Sequence, residues 1–211
     1  MDITRATEAG IYAAARETAR ALKEGKVAVF PTETVYGIGC LMSDTKAAER
    51  IYGIKGRQHS KPLPVMVDCV ASVEKAAFPV PGLEALEGVF MPGPLTVVLK
   101  KKDRVPPVIS GGLDTVAVRI PDHPFLLAVL RELGEPIAAT SANPSGLPAP
   151  ASFDMLDGAI KDAADLAVDM GPCRVGAPSA IADLTGPEVR ILREGGITAE
   201  ELGKWLKKEI Q

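Results

Sequence analysis

The sequence predicts one α/β domain, because helical periodicities and short β-branched runs alternate along all 211 residues with no long linker, repeat or low-complexity tract between them. The composition agrees: 46% hydrophobic and 24% charged residues can build a soluble core, and the length suits one large domain. The 18 prolines and 20 glycines cluster in the connections, which predicts elaborate loops around the sheet.

Ile11, Ala14, Ala15, Thr18, Ala19 and Leu22 recur at helical spacing and Gly25 follows as a left-handed cap, predicting a helix over residues 8–24. Residues 27–30 are apolar and partly β-branched, and Pro31 stops them. They read as a buried strand that delivers the polar run Thr32-Glu-Thr-Val-Tyr36-Gly37 at its end. Ser43 or Asp44 can cap a second helix with Ala47, Ala48, Ile51 and Tyr52 on one face, closed by Gly53, and Lys55-Gly-Arg57 lies just beyond it. Strands are predicted at residues 63–67, 95–99, 116–120, 137–140 and 180–184. Two short helices over 70–90 break around Pro79 and Pro81, and a further helix covers 122–133. Residues 137–140 run into Ser141-Ala-Asn143-Pro-Ser-Gly146, a loop rich in turn formers. Thr198-x-x-Glu201 is a capping box ahead of Leu202, Trp205, Leu206 and Ile210 on one helical face.

Several function classes are disfavoured. The 24 basic and 27 acidic side chains give a net charge of −3, which lacks the overall excess that draws a whole domain onto nucleic acid but leaves room for a local basic patch. Aromatics at 4% leave few rings on which single-stranded bases could stack. Cys40, Cys69 and Cys173 are odd in number and far apart, fitting neither a disulfide framework nor a zinc site, and a reduced cytoplasm is the natural reading. Neither a signal pattern nor an apolar run of membrane-spanning length is present. Phosphate-loop, dinucleotide and nucleophile-elbow motifs are missing, and His59 and His123 are too few for a histidine metal cluster.

What remains is a set of polar residues at strand ends and in loops. Lys55 and Arg57 are two apart, so in extended backbone both project from one face and could grip a polyanion. Ser141 and Asn143 share that spacing, and their hydroxyl and amide groups can take phosphate oxygens or a nucleotide edge. Taken alone, Lys-Gly-Arg is more often a solvated turn than a site, and Ser-Ala-Asn-Pro is usually just a turn.

Five segments together go further. Phe30-Pro-Thr-Glu-Thr-Val-Tyr-Gly37, Lys55-Gly-Arg57, Pro92-Gly-Pro-Leu-Thr-Val-Val-Leu99, Thr115-Val-Ala-Val-Arg119-Ile-Pro and Ser141-Ala-Asn143 occur in order across nearly the whole chain. The combination closely resembles the YrdC-like threonylcarbamoyl-adenylate synthase family. That resemblance implies a twisted mixed α/β sheet with flanking helices around a deep, positively lined groove, here as one domain over residues 1–211. It also implies a reaction in which ATP, L-threonine and bicarbonate give threonylcarbamoyl-adenylate and pyrophosphate. The product would supply a threonylcarbamoyl-transferase that acts on tRNA. Magnesium carried by ATP, a cytoplasmic location and no membrane partner belong to the same expectation.

Residue by residue, the resemblance assigns Lys55, Arg57, Ser141 and Asn143 to catalysis and ATP, with Thr115 and Arg193 also at the nucleotide. Thr32, Arg119 and Ser179 fall at positions that hold threonine. Arg119 sits on an otherwise apolar strand, where burial unpaired would be costly, so it is either a structural ion pair or a carboxylate clamp. Thr32 reads equally as a turn cap and Ser179 as a turn residue before its strand. Ala180, Glu194 and Met66 depart from the family pattern, which carries Thr, Pro and often His there. Two other readings stand beside this one: a carbamoyl-adenylating domain of the hydrogenase-maturation type, and a double-stranded RNA-binding module.

Overall fold

The computed structural model describes residues 1–195 together with 197, 198 and 200. The helix predicted behind the Thr198 capping box lies outside the described residues. Among the described residues, ten strands and five α-helices follow the chain as β1 (Asp2–Arg5), α1 (Ile11–Lys23), β2 (Ala28–Phe30), β3 (Gly37–Leu41), α2 (Thr45–Lys55), β4 (Val65–Met66), β5 (Leu95–Lys100), α3 (Pro107–Ser110), β6 (Thr115–Arg119), α4 (Pro124–Leu133), β7 (Ile137–Ser141), α5 (Gly158–Ala163), β8 (Leu166–Asp169), β9 (Ala180–Asp183) and β10 (Arg190–Arg193). The strands form one mixed sheet in the order β1-β8-β2-β3-β7-β4-β6-β5-β9-β10. No helix among the described residues is long and apolar enough to cross a membrane.

Most predicted elements form, with informative exceptions. The second helix does not close at Gly53; it runs to Lys55, and Gly56 ends it in the left-handed conformation at φ +57°. The helices expected over 70–90 are short 3-10 turns, Val70–Lys75 and Leu83–Leu86. β1, β3, β8 and β10 have no counterpart in the sequence reading.

Strand periodicity divides the core between the two faces of the sheet. Ala28 and Phe30 of β2, Ile137 and Ala139 of β7, and Met66 of β4 point to the face covered by α1 and α4. Val29, Ala138 and Val65 point the other way, to α2 and the 3-10 turns. The α1–α4 pair covers only half of its face. Beyond β4 the same face stays open, and Thr96, Val98, Thr115, Ala117, Arg119, Ile181 and Asp183 line a groove there.

β3 reads Gly-Ile-Gly-Cys-Leu because the Phe30 ring packs against both of its glycines. A Cβ at Gly39 would come within 2.9 Å of both the Phe30 ring and the Ala138 carbonyl oxygen. Gly39→Ala should therefore lower stability by about 1–3 kcal/mol, the usual cost of overpacking, read as a shift in the chemical-denaturation midpoint. An unshifted midpoint would mean that Phe30 moves aside at no cost.

Candidate active site

The groove encloses about 730 Å³. Arg57, Lys61, Arg119, Arg190 and Arg193 line it against one carboxylate among the described residues, Asp183. Asp183 is already engaged: Oδ1 accepts from the Thr185 N–H and hydroxyl, and Oδ2 accepts from Arg190. Desolvation, and then neighbouring Arg119, push the Arg193 guanidinium below its ordinary value, and desolvation does the same to Arg57. Crowded, partly desolvated cations of this kind favour an anionic occupant.

Sheet register sets the floor of the groove. Met66 of β4 is paired with Arg119 of β6, Arg119 with Thr96 of β5, and Thr96 with Ile181 of β9. Arg193 of β10 pairs with Ile181 across a register irregularity. The Thr96 and Ser179 hydroxyls lie 2.8 Å apart, and Arg193 donates through Nε and Nη2 to the Ser179 carbonyl at 3.0 and 2.8 Å.

One wall is the turn that follows β2. The Thr32 hydroxyl accepts from the Thr34 and Val35 N–H groups and lies 2.7 Å from the Val35 carbonyl oxygen, so its reading as a turn cap describes what it does here. Tyr36 N–H donates to Pro150 O and Val175 N–H to Glu33 O, which clamps the turn between two proline-rich loops. Arg119, 5% exposed, donates through Nη2 to Glu33 Oε1 at 2.7 Å and to the Thr34 hydroxyl at 2.8 Å, and through Nε to Gly93 O. Glu33 is 2% exposed, and its Oε2 has no hydrogen-bond partner. Arg119 is therefore a structural ion pair and a groove residue at once. One edge of its fork is spent on protein, and Nη1 has no protein partner among the described residues.

The second wall corrects an expectation. Lys55 and Arg57 do not share a face, because Lys55 is the last helical residue and Gly56 reverses the chain between them. Arg57 reaches the groove, with Nε and Nη2 donating to the carbonyls of Lys61 and Pro62 at 3.1 and 2.9 Å. Lys55 does not line it. Lys55 is 3% exposed, and its ammonium turns inward to the carbonyl oxygens of Ser141 and Asn143. Ser141 and Thr115 line the groove, whereas Asn143 is buried behind it and its amide nitrogen donates to Pro144 O and Leu147 O.

The Sua5/YciO/YrdC family model, described as "Telomere recombination", matches residues 20–195. The chain belongs to the Sua5/YciO/YrdC family. Threonylcarbamoyl-AMP synthase of Pyrococcus abyssi is 42% identical over 184 residues, covering 87% of this chain and 54% of the relative. The Bacillus subtilis protein of that name is 41% identical over 192 residues, covering 88% and 54%. The chain spans about half the length of these two curated relatives. The crystal structure of P. abyssi Sua5 complexed with L-threonine superposes with a TM-score of 0.87 at 39% identity, covering 97% of this chain and 60% of that one.

Within this family member, the departures from the pattern fall in different places. Met66 is on the groove floor beside Arg119, Ala180 packs into the core on the opposite face, and Glu194 is exposed just after β10. Sequence reasoning missed Glu33, Thr34 and Thr96 as groove-organising residues. The available signal was a carboxylate at one strand end and an unpaired arginine in an apolar strand, each requiring a partner. Cys40 and Cys173 stay thiols: burial pushes Cys40 up to about 12 and Cys173 up to about 11.

Proposed function

We propose that the chain is an L-threonylcarbamoyladenylate synthase, joining L-threonine, bicarbonate or carbon dioxide, and ATP. Convergence carries the reading: segments scattered from Thr32 to Arg193 meet at one cation-lined groove. The names of the Pyrococcus and Bacillus relatives and the threonine complex of P. abyssi Sua5 support the substrate. The threonine amine adds to carbon dioxide and loses a proton, giving a carbamate. A carbamate oxygen then attacks the α-phosphorus of ATP, and that P–O bond forms as the bond to the pyrophosphate oxygen breaks.

Two anions must meet, so fixed positive charge is the protein's main contribution, together with positioning worth up to about 7–11 kcal/mol. Arg57, Arg193, Ser141 and Thr115 serve the nucleotide. Arg119, through its unspent Nη1, serves the threonine carboxylate, with Thr32 and Ser179 beside it. Lys55 and Asn143 support the nucleotide wall from behind. Asp183, the one groove carboxylate among the described residues, already accepts from Thr185 and Arg190, so magnesium would be held by the ATP phosphates and would screen their charge there. The mixed anhydride is consumed by a threonylcarbamoyl-transferase acting on tRNA in the cytoplasm.

Pyrophosphate should form only when ATP, L-threonine, bicarbonate and magnesium are all present, as omission assays would show. Equal turnover with carbamoyl phosphate and no threonine would overturn the reading in favour of a carbamoyl-adenylating domain.

A further inference from the structure

A buried carboxylate needs partners for both of its oxygens, because an unmatched one keeps the full cost of leaving water. Glu33 has Arg119 on Oε1 and nothing on Oε2 among the described residues. Four buried side-chain atoms share that condition: Thr18 Oγ1, Glu33 Oε2, His123 Nδ1 and Asn143 Oδ1. Only a donor can satisfy Oε2. The Asn143 oxygen is an acceptor, and inside α1 the Thr18 hydroxyl has the carbonyls of its own preceding turn as natural partners. His123 Nδ1 is the donor that remains.

The chain contacts bring that ring to Glu33. Arg174 donates to the carboxylate of Asp122, the residue before His123, and Val175, the residue after Arg174, donates its N–H to Glu33 O at 2.7 Å. The Asp122–Arg174 bridge therefore closes over the turn that carries Glu33. His123 itself is half-buried and held at the start of α4, where its carbonyl accepts from Leu127 N–H at 3.0 Å and its ring stands edge-on to Phe125, with centroids 6.3 Å apart. Burial pushes the imidazole below its ordinary value; the charges of Glu33 and then Asp122 oppose this, and that of Arg174 adds to it. A ring kept neutral donates from one nitrogen only, and a neutral donor serves Oε2 without competing with Arg119 for the ion pair.

We propose that His123 is a positioning residue: its Nδ1 carries the proton of a neutral ring and donates to Glu33 Oε2, directly or across one water, so that the carboxylate is fixed at both oxygens and holds Arg119 with Nη1 left for the groove. The proposal rests on the reading of Arg119 as the residue that serves the threonine carboxylate. A carboxylate held at one oxygen can swing about that contact. Held at both, it fixes the plane of the guanidinium bonded to it, and with it the direction in which the unspent N–H groups point.

The chain has two histidines, so its imidazole signals are few, and His59→Asn assigns them. Long-range proton–nitrogen NMR at neutral pH should show His123 as a neutral ring with its proton on Nδ1. A proton on Nε2 would overturn the proposal, and this arm leaves His123 unaltered, so it decides even where a substitution fails to fold. Calorimetric titration with threonine then compares three replacements. Asparagine puts an amide donor close to the Nδ1 position, glutamine puts one near Nε2, and leucine supplies none. His123→Asn should bind threonine within about twofold of the unaltered protein, whereas His123→Gln and His123→Leu should bind it about tenfold more weakly. ATP affinity, measured without threonine, should stay within about twofold in all three. Equal losses for both ligands would reduce His123 to scaffold, and undiminished threonine binding in His123→Leu would overturn its role as well. Unaltered protein that binds ATP but no threonine would overturn the assignment of Arg119 to the threonine carboxylate instead, and the NMR result would then judge the His123–Glu33 contact by itself.

Discussion

Arg119→Ala should lower unfolding stability by about 3–5 kcal/mol, because it leaves the Glu33 carboxylate, 2% exposed, without its cation. Glu33→Ala should cost a similar amount for the mirror-image reason. Removing both charges is a different matter: Arg119→Met with Glu33→Leu should recover much of the loss, since a buried pair replaced by apolar groups of similar volume is often neutral. The double variant should still bind no threonine. Urea denaturation of the four proteins gives the stabilities, and calorimetric titration with threonine gives the binding. A single-variant loss below about 1 kcal/mol would mean that solvent already screens the pair, and restored threonine binding in the double variant would remove Arg119 from the site.

Arg57→Ala acts on the other wall and should separate activity from stability. Its guanidinium bonds the Lys61 and Pro62 carbonyls at the rim of the groove. Turnover should fall by one to three decades, about 1.4–4 kcal/mol of transition-state stabilisation, while the unfolding midpoint moves little. Steady-state kinetics with the variant, beside its denaturation curve, check both halves of the expectation. Unchanged kinetics would leave Arg57 a structural contact at the rim and remove it from the nucleotide site.

The elements that sequence patterning found are those whose side chains follow a single period. α1, α4, β5, β6 and β7 each show one buried face or an apolar run, and the chain alone displays that. β3 was hidden because two of its five residues are glycines, which carry almost no strand signal; they are there for the Phe30 ring, a contact across strands that no local window contains. β8 and β10 are four-residue strands, and β10 begins and ends with arginine. At the site, the spacing argument assumed extended backbone at residues 55–57, where a helix end and a left-handed glycine stand instead. Glu33 was invisible for a further reason: its partner is 86 residues away, and only folding brings the two together.

Because Arg119, Thr96 and Ile181 lie side by side in one row across three adjacent strands, the groove floor is graduated like a ruler. Adjacent strands sit roughly 4.8 Å apart and alternate residues along a strand roughly 7 Å apart, so a contact here can be moved only in those increments. A pocket assembled from loops can be retuned by fractions of an ångström through many small changes. On this floor, transferring a basic or hydroxyl group to a neighbouring position overshoots a hydrogen bond altogether. Fine adjustment for a longer or shorter ligand must therefore come from side-chain length at a fixed position, or from the turn at residues 32–36 and the wall it forms, rather than from the sheet.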